Sequence, residues 1–217
     1  MSPQMFDRLL KALGETLVMV GVAGAFTAVL GLALALFLVV TAPGGIRPLP
    51  GLNRLVGLGI NGFRAVPFII LLIALIPITR LIAGTTIGVG AAIVPITLAS
   101  IPYFARIAEV SLREVSLGLI EAAQSVGCTK VQIVRHVLLP EAAPGILRGY
   151  TVTLITMIGG SAMAGAVGAG GLGDLAIRYG YQRFDTSVMI AVIVIMITLV
   201  SGVQLLGEWL ARRLSHR

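Results

Sequence analysis

Charged positions interrupt this chain at long intervals, and the stretches between them are apolar. Residues 16 to 46 form a run of 31 residues without a charge, and Leu17–Val40 is almost wholly apolar. About 20 helical residues cross a bilayer core of about 30 Å, so this run predicts a complete transmembrane helix. It also exceeds the roughly 15 apolar residues of a signal-peptide core. Ala33-Leu34-Ala35 lies inside it, so it is not read as a cleavage site and the N-terminus is expected to be retained. The same pattern places spans at about 16–41, 52–79, 87–108, 144–166 and 186–209. Pro67 and Pro77 fall within the second span and Pro95 and Pro102 within the third. Neighbouring helices can satisfy the carbonyls that such prolines free. The four prolines fit either kinked helices lining a pathway or simple packing kinks.

Composition narrows the class. Of 217 residues, 57% are apolar and 12% charged, against about 25% charged in a soluble domain. Mean hydropathy is +1.02. A cytosolic enzyme, a nucleic-acid module and a disordered linker are excluded; an all-α polytopic membrane protein is expected. The net charge of +7 is informative through its distribution. Five spans put the termini on opposite sides. One side then holds 11 basic residues (Arg47, Arg54, Arg64, Arg106, Arg113, Lys130, Arg135, Arg148, Arg212, Arg213, Arg217) against five acidic ones, and the other holds a net +1. Basic loops favour the cytoplasm, so the N-terminus is expected outside and the C-terminus inside. The single Cys128 and the separated His136 and His216 offer no disulfide and no metal spacing.

Most connections are short, but Arg106 to Arg148 holds nine of the 25 charged residues. There Ser116 can cap a helix over 117–126, and Gly127 suits the left-handed position that ends one. Thr129-Lys130-Val131-Gln132 has capping-box spacing, and Pro140 is expected to stop the second helix. The result is a cytoplasmic knob of two short helices.

These residues carry a family resemblance. Glu121-Ala122-Ala123, Gly127, Val137 and Leu139-Pro140 have the spacing of the EAA loop of ABC importer permeases, with valine where that family usually has isoleucine. The run 63–72 (FRAVPFIILL), together with Ser161-Ala162-Met163 and the glycine-rich 165–173, looks like the permease of methionine importers. The resemblance implies a type I importer permease domain over 13–205, with a short external segment at 1–12, a coupling loop at 109–143 and a basic cytoplasmic tail at 206–217. It also implies a homodimer in a bacterial cytoplasmic (inner) membrane. A separate ATPase would engage residues 116–140 and bind ATP and Mg, and an external binding protein would deliver an amino acid, most specifically methionine in its L- and D-forms. This chain itself would need no cofactor, bind no nucleic acid and catalyse nothing.

Other signals are weighed against plainer readings. Gly168-Ala169-Gly170-Gly171-Leu172-Gly173 satisfies G-x-G-x-x-G, which means dinucleotide binding only between a strand and a helix; here it follows a membrane span. The pairs Gly145/Gly149, Gly84/Gly88 and Ser161/Gly165 allow close helix packing, within the chain or across a dimer. Met163, beside Ser161, is either packing or a pore constriction. Arg64, with Pro67 close by, sits in a span. A charge at a helix centre costs about 3 kcal/mol, so it is read as snorkelling from the cytoplasmic end or as part of an inner mouth. No G-x-x-x-x-G-K-[ST] run exists, so ATP-driven transport would need a partner. The competing class, an ion-coupled transporter or channel, usually places carboxylates at mid-membrane in repeated halves; no span here has a mid-span carboxylate.

Overall fold

The computed structural model describes residues 3–215, so His216 and Arg217 of the expected tail lie outside the described residues. Among the described residues the secondary structure is entirely helical. Helix α1, Pro3–Thr41, is 39 residues long, and it takes up most of the short segment expected at 1–12. Three helices are long and apolar enough to cross a membrane: α1, α5 (Val89–Arg113) and α10 (Thr186–Leu214). Helix α8, Leu139–Gly165, has 27 residues, but Arg148, three threonines and several glycines dilute its apolar character.

The second expected span, 52–79, is broken. Helix α2 (Pro50–Ala65) and helix α3 (Phe68–Ala74) meet at 106°, and α4 (Ile76–Ala83) follows after Leu75. Proline disfavours helical geometry in the residue before it, and Val66 is extended at φ −84°, ψ 127°. Pro77 lies in the first turn of α4, where a missing N–H costs little. Pro95 and Pro102 behave differently and sit inside the continuous α5.

The knob corrects two expectations. Ser116 precedes α6 (Leu117–Ser125), yet among the described residues its side chain makes no cap hydrogen bond; its carbonyl instead accepts from the Leu119 N–H at 3.1 Å. Pro140 does not stop the second helix. Helix α7 (Lys130–Ile133) passes through a π-helical turn, Val134–Leu138, directly into α8. The Leu139 N–H reaches back to the Val134 carbonyl, an i→i−5 bond whose wider turn relieves crowding where the proline ring follows. The capping box is present, with Thr129 N–H to Gln132 Oε1 at 2.7 Å and Gln132 N–H to Thr129 Oγ1 at 3.4 Å.

Close helix contacts hold the core together. A Cβ on Gly145 would come within 2.7 Å of Ser111 Oγ, and one on Gly149 within 2.4 Å of Ile107 Cγ2. That GxxxG pair therefore seats α8 on α5 within the chain. Gly84 and Gly88 instead bound the α4–α5 loop with φ of 72° and 94°. Phe104 and Tyr150 lock the same α5–α8 seam edge to face, 5.3 Å between ring centres.

The glycine-rich run folds back on α8. A Cβ on Gly173, in α9 (Gly171–Leu175), would stand 2.2 Å from the Ala162 carbonyl oxygen. No rotamer change relieves a clash with backbone. Gly173→Ala is therefore expected to destabilise the purified protein by about 2 kcal/mol or more, read as a fall in Tm in detergent. Gly14→Ala, with nothing within 4 Å, is expected to leave Tm unchanged or raised.

Candidate functional site

Two regions carry the residues singled out from the sequence, and α8 joins them. The first is the knob. Every residue of α6 is exposed or half-buried: Glu121 and Ala122 face outward, Ala123 is half-buried, and Val126 is 80% exposed. After α6 the chain reverses through a C-terminal cap in which Gly127 N–H bonds the Gln124 carbonyl and Cys128 N–H the Ala123 carbonyl, both at 3.0 Å. Gly127 has φ 81°, the left-handed conformation this cap requires and glycine adopts without strain. Leu139 is half-buried and Pro140 exposed at the start of α8.

The exposed knob has a fixed base. Ile120 and Val134 pack on a buried cluster that includes Phe104, Ala108, Leu112, Val115, Leu138 and Ala142. That cluster joins the end of α5, the knob and the start of α8 into one packed unit. The knob is thus open on its outer face, where Leu117, Val126 and Val131 stand exposed beside Glu121, and firmly seated below.

The second region is a cavity of about 470 Å³ between α2, α3, α5 and α8. Phe63 and Arg64 from the end of α2, Phe68 from α3, Tyr103 from α5, and Met157 and Met163 from α8 line it. Two residues that the sequence offered separately, Arg64 and Met163, are brought together on its wall. Pro67 is not on the wall, but its break turns the chain so that Arg64 and Phe68 both reach the space. Met163 is 50% exposed. Ser161 is not part of the wall: it is 2% exposed and its hydroxyl donates to the Ile158 carbonyl at 2.7 Å. The neighbour of Met163 therefore satisfies its own helix. Most of the wall is apolar, with Arg64, Ser100, Tyr103 and Thr156 as its polar members.

Two polar clusters were not singled out from the sequence. Glu109, buried in α5, holds Arg106 and Arg113; the i, i+3 and i, i+4 spacing R-x-x-E-x-x-x-R is the signal that could have found it. The other fastens the glycine run. Gly171 N–H donates to Glu15 Oε2 at 2.7 Å and Leu172 N–H to Thr16 Oγ1 at 3.0 Å. These amides are satisfied by α1 and do not form an open phosphate cradle, which agrees with rejecting the dinucleotide motif.

Residues 46–216 match the family described as binding-protein-dependent transport system inner membrane component. A Vibrio cholerae protein named "Probable D-methionine transport system permease protein MetI" is 51% identical over 97% of this chain and 94% of its own. The Escherichia coli K12 "D-methionine transport system permease protein MetI" is 50% identical over 76% of each chain. Among solved structures, an inward-facing conformation of the MetNI methionine ABC transporter superposes with a TM-score of 0.98 at 47% identity, over the whole of both chains. A structure of an amino acid ABC transporter with histidines, 22% identical with a TM-score of 0.79, shares the fold.

The two faces of α8 make a direct expectation. In a Cys128→Ser background, Met163→Cys is expected to react with a water-soluble thiol reagent and Ser161→Cys to stay protected; the reverse order of labelling would show that the cavity wall is wrongly assigned. The matched sequence over residues 46–216, the superposition along the full chain and the EAA spacing at the knob agree, and the chain belongs to the binding-protein-dependent transport system inner membrane component family.

Proposed function

We propose that this chain is the membrane permease of an ATP-driven importer of methionine, acting as a homodimer in the bacterial inner membrane. The relatives near 50% identity are named for D-methionine transport, which supports that form as cargo; uptake of the L-form is part of the proposal. The single observation that carries the mechanism is the knob, exposed above and seated below on the helices that wall the cavity.

In this reading the chain crosses the membrane five times, N-terminus outside, with the broken α2–α3–α4 segment and α8 supplying the crossings beyond α1, α5 and α10. The permease domain covers 13–205 and the coupling loop 109–143. Residues 116–140 dock on a separate ATPase, which binds ATP and Mg. Ala122 and Ala123 allow close approach, Glu121 meets a basic group or a helix N-terminus, and Leu139-Pro140 passes the displacement into α8. Closure of the ATPase pair moves the knob, α8 follows, and the pathway opens toward an external binding protein that delivers the substrate. Release after hydrolysis returns it inward.

The cavity suits a small amphipathic cargo. Met163, Phe63 and Phe68 offer soft apolar surface with which a thioether interacts favourably. Arg64 stands where it can attract a carboxylate, and a hydrated cavity wall spares its charge most of the cost of lipid.

Two measurements test this. Uptake of methionine by cells is expected to collapse on ATP depletion and to survive dissipation of the proton gradient while ATP is maintained; the opposite result would favour an ion-coupled transporter. Gly127→Val forces a β-branched residue into a left-handed conformation, which costs about 1–3 kcal/mol locally. It is expected to leave membrane insertion intact and reduce co-purification of the ATPase, while Gly118→Ala, whose Cβ would meet only Ser116 Oγ at 3.6 Å, retains it. Normal assembly and transport in Gly127→Val would remove the knob from its assigned role.

A further inference from the structure

Among the described residues, Glu109 is the one charged side chain buried in the fold, at 4% exposure. Arg106 Nη1 donates to its Oε2 at 2.6 Å. Arg113 donates to Oε1 twice, from Nε at 2.9 Å and Nη2 at 2.8 Å. All three residues lie on the last turns of α5. The network then leaves that helix: Arg106 Nη2 donates to Asn61 Oδ1 on α2 at 3.0 Å. A buried carboxylate between guanidiniums adds little stability over apolar side chains of similar volume, so stability alone does not account for it.

Its position suggests what it does. The end of α5 belongs to the packed unit that includes the base of the knob. Helix α2 is held at two polar points. Near its start, Asn53 Nδ2 donates to the Leu38 carbonyl at 2.7 Å and to Thr41 Oγ1 at 2.9 Å, both on α1. Two turns later Asn61 accepts from Arg106. Immediately beyond Asn61 come Phe63 and Arg64, which line the cavity, and then the 106° break. Helix α2 is therefore tethered to α1 near its start and to α5 near its end, within one turn of the two residues it places on the cavity wall.

We propose that Glu109, Arg106 and Asn61 form a transmission strut that carries displacement of the knob through α5 to the Phe63–Arg64 wall. This second route runs parallel to α8 and rests on the importer reading above. Glu109 fixes the Arg106 guanidinium so that its second arm points at α2, and Asn61 receives it. All three are positioning residues.

The test uses the complete complex, with ATPase and binding protein, in proteoliposomes, reading methionine imported per ATP hydrolysed and the stimulation of hydrolysis by loaded binding protein. Asn61→Ala removes the acceptor alone. The complex is expected to assemble, while import per ATP falls by about fivefold or more, the lower range of typical coupling between sites. Asn61→Asp keeps an oxygen for Arg106 and is expected to restore most of the ratio, which a generally weakened fold would not do. Glu109→Gln is expected to show the same loss of coupling. Should it fail to assemble, the Asn61 pair decides. Wild-type import per ATP in Asn61→Ala, or an Asn61→Asp variant as defective as alanine, would overturn the strut. A wild-type complex that imports methionine without ATP would overturn the importer reading itself, and this result is distinct because it needs no variant.

Discussion

The most direct physical connection between the knob and the cavity is one unbroken helix, α8. It runs from Leu139 to Gly165, 27 residues, which at 1.5 Å per residue is about 40 Å of stiff rod. Ala142, near its start, is buried in the knob's base, and Met163, near its other end, stands on the cavity wall. A rod of hydrogen-bonded turns does not absorb displacement in its middle, so movement at one end must appear at the other as translation or tilt. The π-helical turn at Val134–Leu138 matters for the same reason. It lets the knob and the rod share one continuous path past a proline that would otherwise separate them.

Packing along the rod is close where α8 meets α5. Gly145 and Gly149 leave no room for a methyl group against Ser111 and Ile107, and Phe104 and Tyr150 interlock just above. In a bilayer, apolar side chains gain little by leaving lipid, so dispersion between surfaces in near contact must hold helices together. Small residues at a seam are thus a source of rigidity here. Used inside one chain, this pair is not free to form a contact with a second copy.

Much of the helical plan was legible because lipid imposes a simple rule: long apolar runs between charges become helices. The runs 16–41 and 186–209 fall within α1 and α10, and the glycine and capping box of the knob sit where their local chemistry places them. Harder features depend on tertiary context. Pro67 and Pro102 are the same residue type in equally apolar surroundings, yet one marks a sharp bend and the other lies within a helix. Whether neighbours or a wider turn can take up the lost hydrogen bond decides between them. Pro140 reads as a stop in the sequence for this reason, yet the wider turn before it carries the helix on. Ser161 and Met163 are neighbours in sequence, but two residues along a helix point about 200° apart, so one faces the core and the other the cavity. The spacing around Glu109 was visible in the sequence; its burial was not, because nothing local says which face of α5 meets other helices.

The bonds from Glu15 and Thr16 to the amides of Gly171 and Leu172 join positions separated by 156 residues. During synthesis the first helix is made long before its partners exist. Its two polar side chains must wait, in contact with water or headgroups, until nearly four-fifths of the polypeptide has been inserted. Non-local closures of this kind are late events in assembly. The latch on the glycine run is accordingly a late closure, and a chain truncated before residue 171 would leave Glu15 and Thr16 of its first helix without these partners.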